Sequence, residues 1–309
     1  MTLKSIWLSL MIISIMLFAS CATSPEQTAV PLPKAEDKTN TGADVQNTDD
    51  LGKTGPALPA DPQEMSFTAS DGYELQGTYF PSIEGDAPLV VLMHWAQSDQ
   101  GDWREVAYWL QNRGMGGLSE NPKNLPWLDS AWFPEMKNDS SYAVFTFTFR
   151  GCEGGCKSFD REKWLLDAQS AAEFVRGLEG VNPDNIAMVG ASIGSDGAAD
   201  GCLHLNSLYP GACKGAFSQS SGNYLTLVYS EIVSNLGKES PPVPAWCLYS
   251  EADPESFGVC NGITAPNYTE ILYPADAIQG FPHGMMLIQP DVEPNPLDLL
   301  LEFLEGVLN

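Results

Sequence analysis

The chain has 309 residues, 15 Lys and Arg against 40 Asp and Glu, a net charge of −25 and 43% hydrophobic side chains. Such a charge repels phosphate backbones, which excludes nucleic-acid binding, and the apolar fraction is too high for a mostly disordered chain and too low for a multi-span membrane protein. Seven cysteines, an odd number, leave at least one without a partner inside the chain.

Lys4 precedes an apolar run from Ile6 to Ala19 that ends in Leu17-Phe18-Ala19-Ser20-Cys21. A basic start, an apolar stretch short of the ~20 residues of a membrane span, and small residues before a cut site describe an export signal over residues 1–20. The small residues before Cys21 resemble the lipobox of bacterial lipoproteins. That resemblance implies a lipid on Cys21 and a protein held on the outer face of a bacterial membrane or cell envelope. Residues 22–62 carry six prolines and no aromatic residue, a composition that cannot offset its own ordering entropy. With Cys21 they form a lipidated tether (21–62), disordered and about 35 Å in reach as a flexible coil.

The domain is expected over 63–309. Met65–Ser70 and Tyr73–Phe80 flank Asp71-Gly72 and read as an antiparallel hairpin with a two-residue turn. Pro88–His94 is a near-continuous apolar strand. Trp103, Val106, Ala107 and Leu110 mark a helix over Gly101–Arg113. Tyr142–Phe149 reads as a strand, Arg161–Val175 as a helix, Asn185–Val189 as a strand, and a helix should start at Ser192. Strands follow at Gly215–Ser218, Val243–Tyr249 and Thr269–Tyr273, with a closing helix over Leu297–Leu308. Strand and helix alternation with fully apolar strands predicts an α/β fold with a doubly wound, mostly parallel sheet. Residues 114–141, rich in Gly, Asn and Pro but carrying Trp127, Trp132 and Phe133, break this rhythm as an insertion. They form either a lid or substrate wall, or a packed surface excursion.

Gly190-Ala191-Ser192-Ile193-Gly194 has the Gly-x-Ser-x-Gly form. The pentapeptide is a weak signal alone, and its context decides. Ile186-Ala187-Met188-Val189 before it reads as a buried strand and the residues after it as a small-residue helix, which is the strand, sharp turn and helix of a nucleophile elbow. A serine hydroxyl needs a base, and the chain has three histidines. In this arrangement the order along the chain is Ser, acid, His, which removes His94. His204 lies twelve residues along the same helix, about 18 Å from Ser192 at 1.5 Å per residue. His283, in Gly280-Phe281-Pro282-His283-Gly284, is left as the base. The acid belongs between them, past a strand end: Asp253 follows the strand at 243–249, with Pro254 fixing a turn, and Glu251 and Glu255 are the alternatives.

With Leu92-Met93-His94-Trp95-Ala96, Phe149-Arg150-Gly151 and Phe281-Pro282-His283-Gly284, the elbow resembles the α/β-hydrolase superfamily, in its dienelactone-hydrolase-like and serine-esterase branches, over roughly residues 65–309. The resemblance implies an oxyanion hole made by the Ile193 N–H and a second N–H from the loop that starts at His94, either Trp95 or Ala96. His94 itself is either an orienting or a structural residue.

The six remaining cysteines, in a chain that reads as exported, suggest three neighbouring disulfides, Cys152–Cys156, Cys202–Cys213 and Cys247–Cys260. The last would brace the loop of Asp253, and the first the loop after Arg150-Gly151. No metal-ligand spacing is present, so neither a metal nor another cofactor is expected. The expected activity is that of a serine hydrolase cleaving a small-molecule ester or related acyl compound through Ser192, Asp253 and His283. The same residues would serve a peptidase or acyltransferase, and a catalytically silent surface lipoprotein that binds without reacting is the alternative of another class. The domain from 63 on keeps 33 acidic and 11 basic side chains, so the acidity belongs to the folded part.

Overall fold

A computed structural model describes residues 60–137 and 140–308. The expected export signal, Cys21 and the tether up to residue 59 lie outside these residues.

Eight strands form one sheet: β1 (Gln63–Thr68), β2 (Glu74–Phe80), β3 (Ala87–Met93), β4 (Ala143–Phe147), β5 (Val181–Ala191), β6 (Cys213–Gln219), β7 (Ala245–Ser250) and β8 (Tyr268–Tyr273), in the order β1-β2-β4-β3-β5-β6-β7-β8. β1 pairs antiparallel with β2 and β2 with β4, and all later neighbours are parallel. This is the doubly wound, mostly parallel sheet with an antiparallel N-terminal pair that the alternation predicts. The hairpin differs in its turn. Ala69 N donates to Tyr73 O and Gly72 N to Ala69 O, both at 2.8 Å, with Gly72 at φ +89°. That is a three-residue loop, Ser70–Gly72, in which glycine takes the left-handed position.

Six helices cover the sheet: α1 (Arg104–Gln111), α2 (Arg161–Phe174), α3 (Ile193–Leu208), α4 (Tyr229–Leu236), α5 (Pro254–Cys260) and α6 (Pro296–Leu308). The alternation of side chains along a strand divides the core in two. On β3, Leu89, Val91 and Met93 join Trp164 and Ala168 of α2, Ala198 and Leu205 of α3 and Val233 of α4. Val90 and Leu92 join Val106 and Leu110 of α1 and Leu300 and Phe303 of α6 on the other face. Sandwiched in this way, β3 to β7 are covered on both faces except at the start of β5, which is why they read as continuous apolar runs.

Helices α4 and α5 lie where the sequence reading has none, and β5 begins four residues early, through Asn182-Pro183-Asp184. The insertion at 114–141 holds two short 3-10 turns, Pro126–Leu128 and Ser130–Trp132. Glu105 of α1 fastens its start by accepting from the backbone N–H groups of Gly117, Leu118 and Ser119 at 2.6–3.0 Å. Three disulfides, Cys152–Cys156, Cys202–Cys213 and Cys247–Cys260, follow the nearest-neighbour pairing, and they tie a loop to itself, α3 to β6, and β7 to α5.

Candidate active site

The turn from β5 into α3 is a steric construction. Ser192 has φ +55° and ψ −118°, a costly conformation for a non-glycine residue, held because both flanks are packed backbone to backbone. A Cβ on Gly190 would stand 1.9 Å from Gly194 O, and one on Gly194 would stand 2.2 Å from Met93 O. Only glycine allows these approaches. Ser192 N donates to Gln219 O of β6 at 2.8 Å, and the Ser192 carbonyl accepts from Ser195 N at 2.9 Å. The serine therefore stands at the start of α3, where unpaired helix N–H groups favour negative charge.

The structure brings Ser192, His283 and Asp253 together. Ser192 Oγ lies 2.8 Å from His283 Nε2, and His283 Nδ1 lies 2.7 Å from Asp253 Oδ2. A carboxylate at Nδ1 fixes the tautomer: Nδ1–H donates to Asp253, which leaves Nε2 as the acceptor for the serine hydroxyl. All three side chains are buried. Asp253 is not in a plain turn. It is the N-cap of α5, with Pro254 in the first helical turn and Oδ1 accepting from Ser256 N at 3.3 Å. Burial works to raise its carboxyl, but the hydrogen bonds from His283 and Ser256 outweigh that and hold it below the usual range. Glu251 and Glu255 are exposed, and among the described contacts neither touches His283. His204 is at the far end of α3, 2.8 Å from Glu173.

His94 resolves into a backbone brace. Its Nδ1–H donates to Trp95 O at 2.6 Å and its Nε2 accepts from Phe149 N at 3.0 Å, so it joins the end of β3 to the end of β4. Burial pushes its pKa down to about 4, which keeps the ring neutral for both bonds. Trp95, which it braces, lies beside the elbow. The Trp95 ring comes within 3.0 Å, and Ser192 Cβ within 3.5 Å, of the place a Cβ on Gly284 would take. Gly284 has φ +60°, so at this position glycine serves both backbone and space. Trp95 Nε1 donates to Asp102 at 2.7 Å, and its ring meets Trp127 of the insertion edge to face at 5.7 Å. The insertion thus backs a residue beside Ser192, with Trp127 itself fully buried. Ala96 O accepts from Cys156 N, and Gly154 N donates to Asp99 Oδ2, both at 2.8 Å, so the Cys152–Cys156 loop is fastened to the 94–99 segment. Arg150, from Phe149-Arg150-Gly151, joins Asp167 of α2 to Asp71 of the hairpin, with 2.6 Å contacts to each.

Several supporting residues carry no motif. Ser220, just past β6 at φ +60°, accepts from Gly284 N at 2.9 Å and so holds the residue after the histidine. The Tyr224 ring meets His283 edge-on at 5.9 Å. Its segment is gripped from both sides. Asp196, one turn into α3, accepts from the N–H groups of Gly222, Tyr224 and Leu225. Arg161 of α2 donates to the carbonyls of Asn223, Tyr224 and Leu225. Burial raises the Asp196 carboxyl to about 7 despite these donors. The placement of Ser220 at a strand C-terminus is the one signal that points to it from sequence, because ligands in such sheets sit at the carboxyl ends of the strands. Among the described residues no group of three or more His, Cys, Asp or Glu converges as a metal site.

No family model matches the chain. It is 30% identical over 145 residues to the uncharacterized protein YfhR of Escherichia coli, a stretch that is 46% of this chain and 42% of that protein. It is 25% identical over 140 residues to the YfhR of Salmonella typhi, where the match covers 45% of this chain and 39% of the relative. The chain thus spans about two fifths of the length of the curated relatives it matches. An esterase of Pyrococcus furiosus superposes with a TM-score of 0.52 at 17% identity, over 81% of this chain and 94% of the esterase. An acetyl xylan esterase of Paenibacillus gives 0.51 at 16% identity, over 84% and 88%. A dienelactone hydrolase of Anabaena variabilis gives 0.50 at 15% identity, over 81% and 100%. At these identities the likeness is one of architecture, and the architecture, with its eight-stranded, mostly parallel sheet and its elbow after β5, is the α/β-hydrolase fold.

Proposed function

We propose that the chain is a serine hydrolase that cleaves a carboxylic ester or related acyl compound through an acyl-enzyme. The observation that carries this reading is the unbroken hydrogen-bond path from Ser192 Oγ through His283 to Asp253, at 2.8 and 2.7 Å. In the proposed sequence Ser192 Oγ bonds to the carbonyl carbon while its proton passes to His283 Nε2. The bond to the leaving oxygen then breaks, and that oxygen takes the proton from His283. Water, activated by the same nitrogen, releases the acid and restores the serine. The Ile193 N–H, with that of Trp95 or Ala96, faces the developing oxyanion. Asp253 stabilises the charged imidazole as it forms.

The esterase and hydrolase neighbours support an acyl substrate. The three disulfides, together with the signal-like N-terminus, support an exported protein, anchored to the outer face of a bacterial membrane or cell envelope through a lipid on Cys21. A fluorophosphonate probe should label the purified protein at Ser192, and Ser192→Ala should abolish both labelling and hydrolysis of p-nitrophenyl acetate. Wild-type protein that shows neither is a binding module instead. Incorporation of labelled palmitate that survives in Cys21→Ser would remove the anchor from the proposal.

A further inference from the structure

The proposed chemistry decides which side of the site receives which half of the substrate. The proton carried by His283 must reach the leaving oxygen, so that oxygen has to come within about 3 Å of Nε2. The leaving group therefore departs past the His283 ring, and what surrounds that ring selects it.

The surroundings are aromatic. Phe281 meets His283 at 5.3 Å between ring centroids and Tyr224 meets it at 5.9 Å, and Phe159 continues the strip beyond Tyr224 at 6.5 Å. Phe281, 56% exposed, holds an apolar ring in water against His283, and Phe159, 59% exposed, does so one ring further out, beyond Tyr224. A single exposed Phe needs no explanation, but Phe281 meets the His283 ring directly and Phe159 reaches it through the buried Tyr224 ring, so apolar rings line the histidine in the way that marks a ligand site. The strip is built to stay in place. Asp196 and Arg161 grip the Tyr224 segment from inside and outside. Burial raises the Tyr224 phenol, with the carboxylates of Glu255 and Asp253 acting in the same sense, so it remains neutral. Those two carboxylates and the net acidity of the domain turn away an anionic leaving group.

Resting on the serine hydrolase reading, we propose that this strip binds the leaving alcohol, that the substrates are esters of neutral aromatic or bulky apolar alcohols, and that Phe281 and Tyr224 are specificity-determining residues on the leaving-group side. Acylation is the step they govern: the Ser192 Oγ to carbonyl-carbon bond forms, the bond from that carbon to the alkoxy oxygen breaks, and the departing alkoxide leaves as the alcohol with the proton from His283. Hydrolysis of the acyl-enzyme does not involve the alcohol.

The test compares acetate esters that share one acyl-enzyme and whose alcohols have similar acidity: ethyl, benzyl and 2-naphthylmethyl acetate. For the wild-type protein, kcat/KM for benzyl and naphthylmethyl acetate should exceed that for ethyl acetate by about tenfold or more, in keeping with the strength of aromatic contacts. Phe281→Ala should lower the benzyl-to-ethyl ratio about fivefold. Leu208→Ala, which removes an exposed apolar side chain at the opposite end of α3 from Ser192, should leave that ratio unchanged. A wild-type ratio near one, or a Phe281→Ala loss equal for all three esters, overturns the inference while fluorophosphonate labelling of Ser192 keeps the hydrolase reading standing. Absence of both labelling and turnover overturns the two together.

Discussion

At the elbow, position is set by main chain packed on main chain: Gly194 against the carbonyls of Met93 and His94, and Gly190 against Gly194. His283 sits instead on a coil segment whose place is set by side chains, namely Asp253 at Nδ1, Ser220 beneath Gly284, and Tyr224 and Phe281 against the ring. The first arrangement has no titratable part and no slack. The second is a sum of separate contacts, each worth about 1 kcal/mol or somewhat more where charge is involved, so it can be weakened one contact at a time. The candidate nucleophile, Ser192, is therefore an all-or-none feature of the fold, and the candidate base, His283, is adjustable.

Three experiments press on that contrast. Asp253→Asn keeps an N-cap for α5 but removes the charge that holds the Nδ1–H tautomer. It should lower kcat for p-nitrophenyl acetate by about 10³ to 10⁴-fold, with the thermal midpoint nearly unchanged. A loss below tenfold would mean the carboxylate does not orient the base. Gly194→Ala should do the opposite and act on folding, because its Cβ would lie 2.2 Å from a carbonyl oxygen that cannot retreat. We expect a cost of about 3 kcal/mol or more, read from the urea midpoint, and wild-type stability would show that the elbow has room to relax.

The smallest effect concerns Asp196. Its buried carboxyl is raised from 3.8 to about 7, so the native state holds the proton more tightly than the unfolded chain. Its contribution to stability is complete below about pH 4 and is lost as pH rises through about 7. Asp200, one turn on and also raised by burial and by the Asp196 charge, adds to the loss. His94 works the other way. Lowered from 6.5 to about 4, it contributes stability that grows as pH rises across that interval, but it is common to wild type and variant. The difference in thermal midpoint between Asp196→Asn and wild type should therefore move in favour of the variant between about pH 4 and pH 8. A constant difference would show that Asp196 stays ionised throughout.

The same contrast explains what was legible beforehand. The elbow announces itself because its glycines, serine and flanking strand are contiguous, and the sheet because strands without a solvent face are uniformly apolar. His283 stands out by elimination among three histidines, and Asp253 by its place past a strand. Asp253-Pro254 reads as a turn, but Asp at N-cap with Pro following is equally a helix start, and here it opens α5. The early start of β5 was hidden by Pro183, at a place where the strand is only partly buried. Asp196, Tyr224 and Arg161 carry no local mark, since each acts on a partner far away along the chain.

The strand order has one more consequence. The candidate machinery is gathered from the ends of β3, β5, β6 and β7, and from a segment beyond β8, with Ser192 and His283 separated by 91 positions along the chain. A chain that has assembled its sheet only through β6 holds the strained Ser192 with neither Asp253 nor His283 beside it. Contacts of such long range form late in folding. On the proposed hydrolase reading, ester turnover is a readout of complete assembly, and a refolding experiment that follows turnover beside helix content should see activity return last.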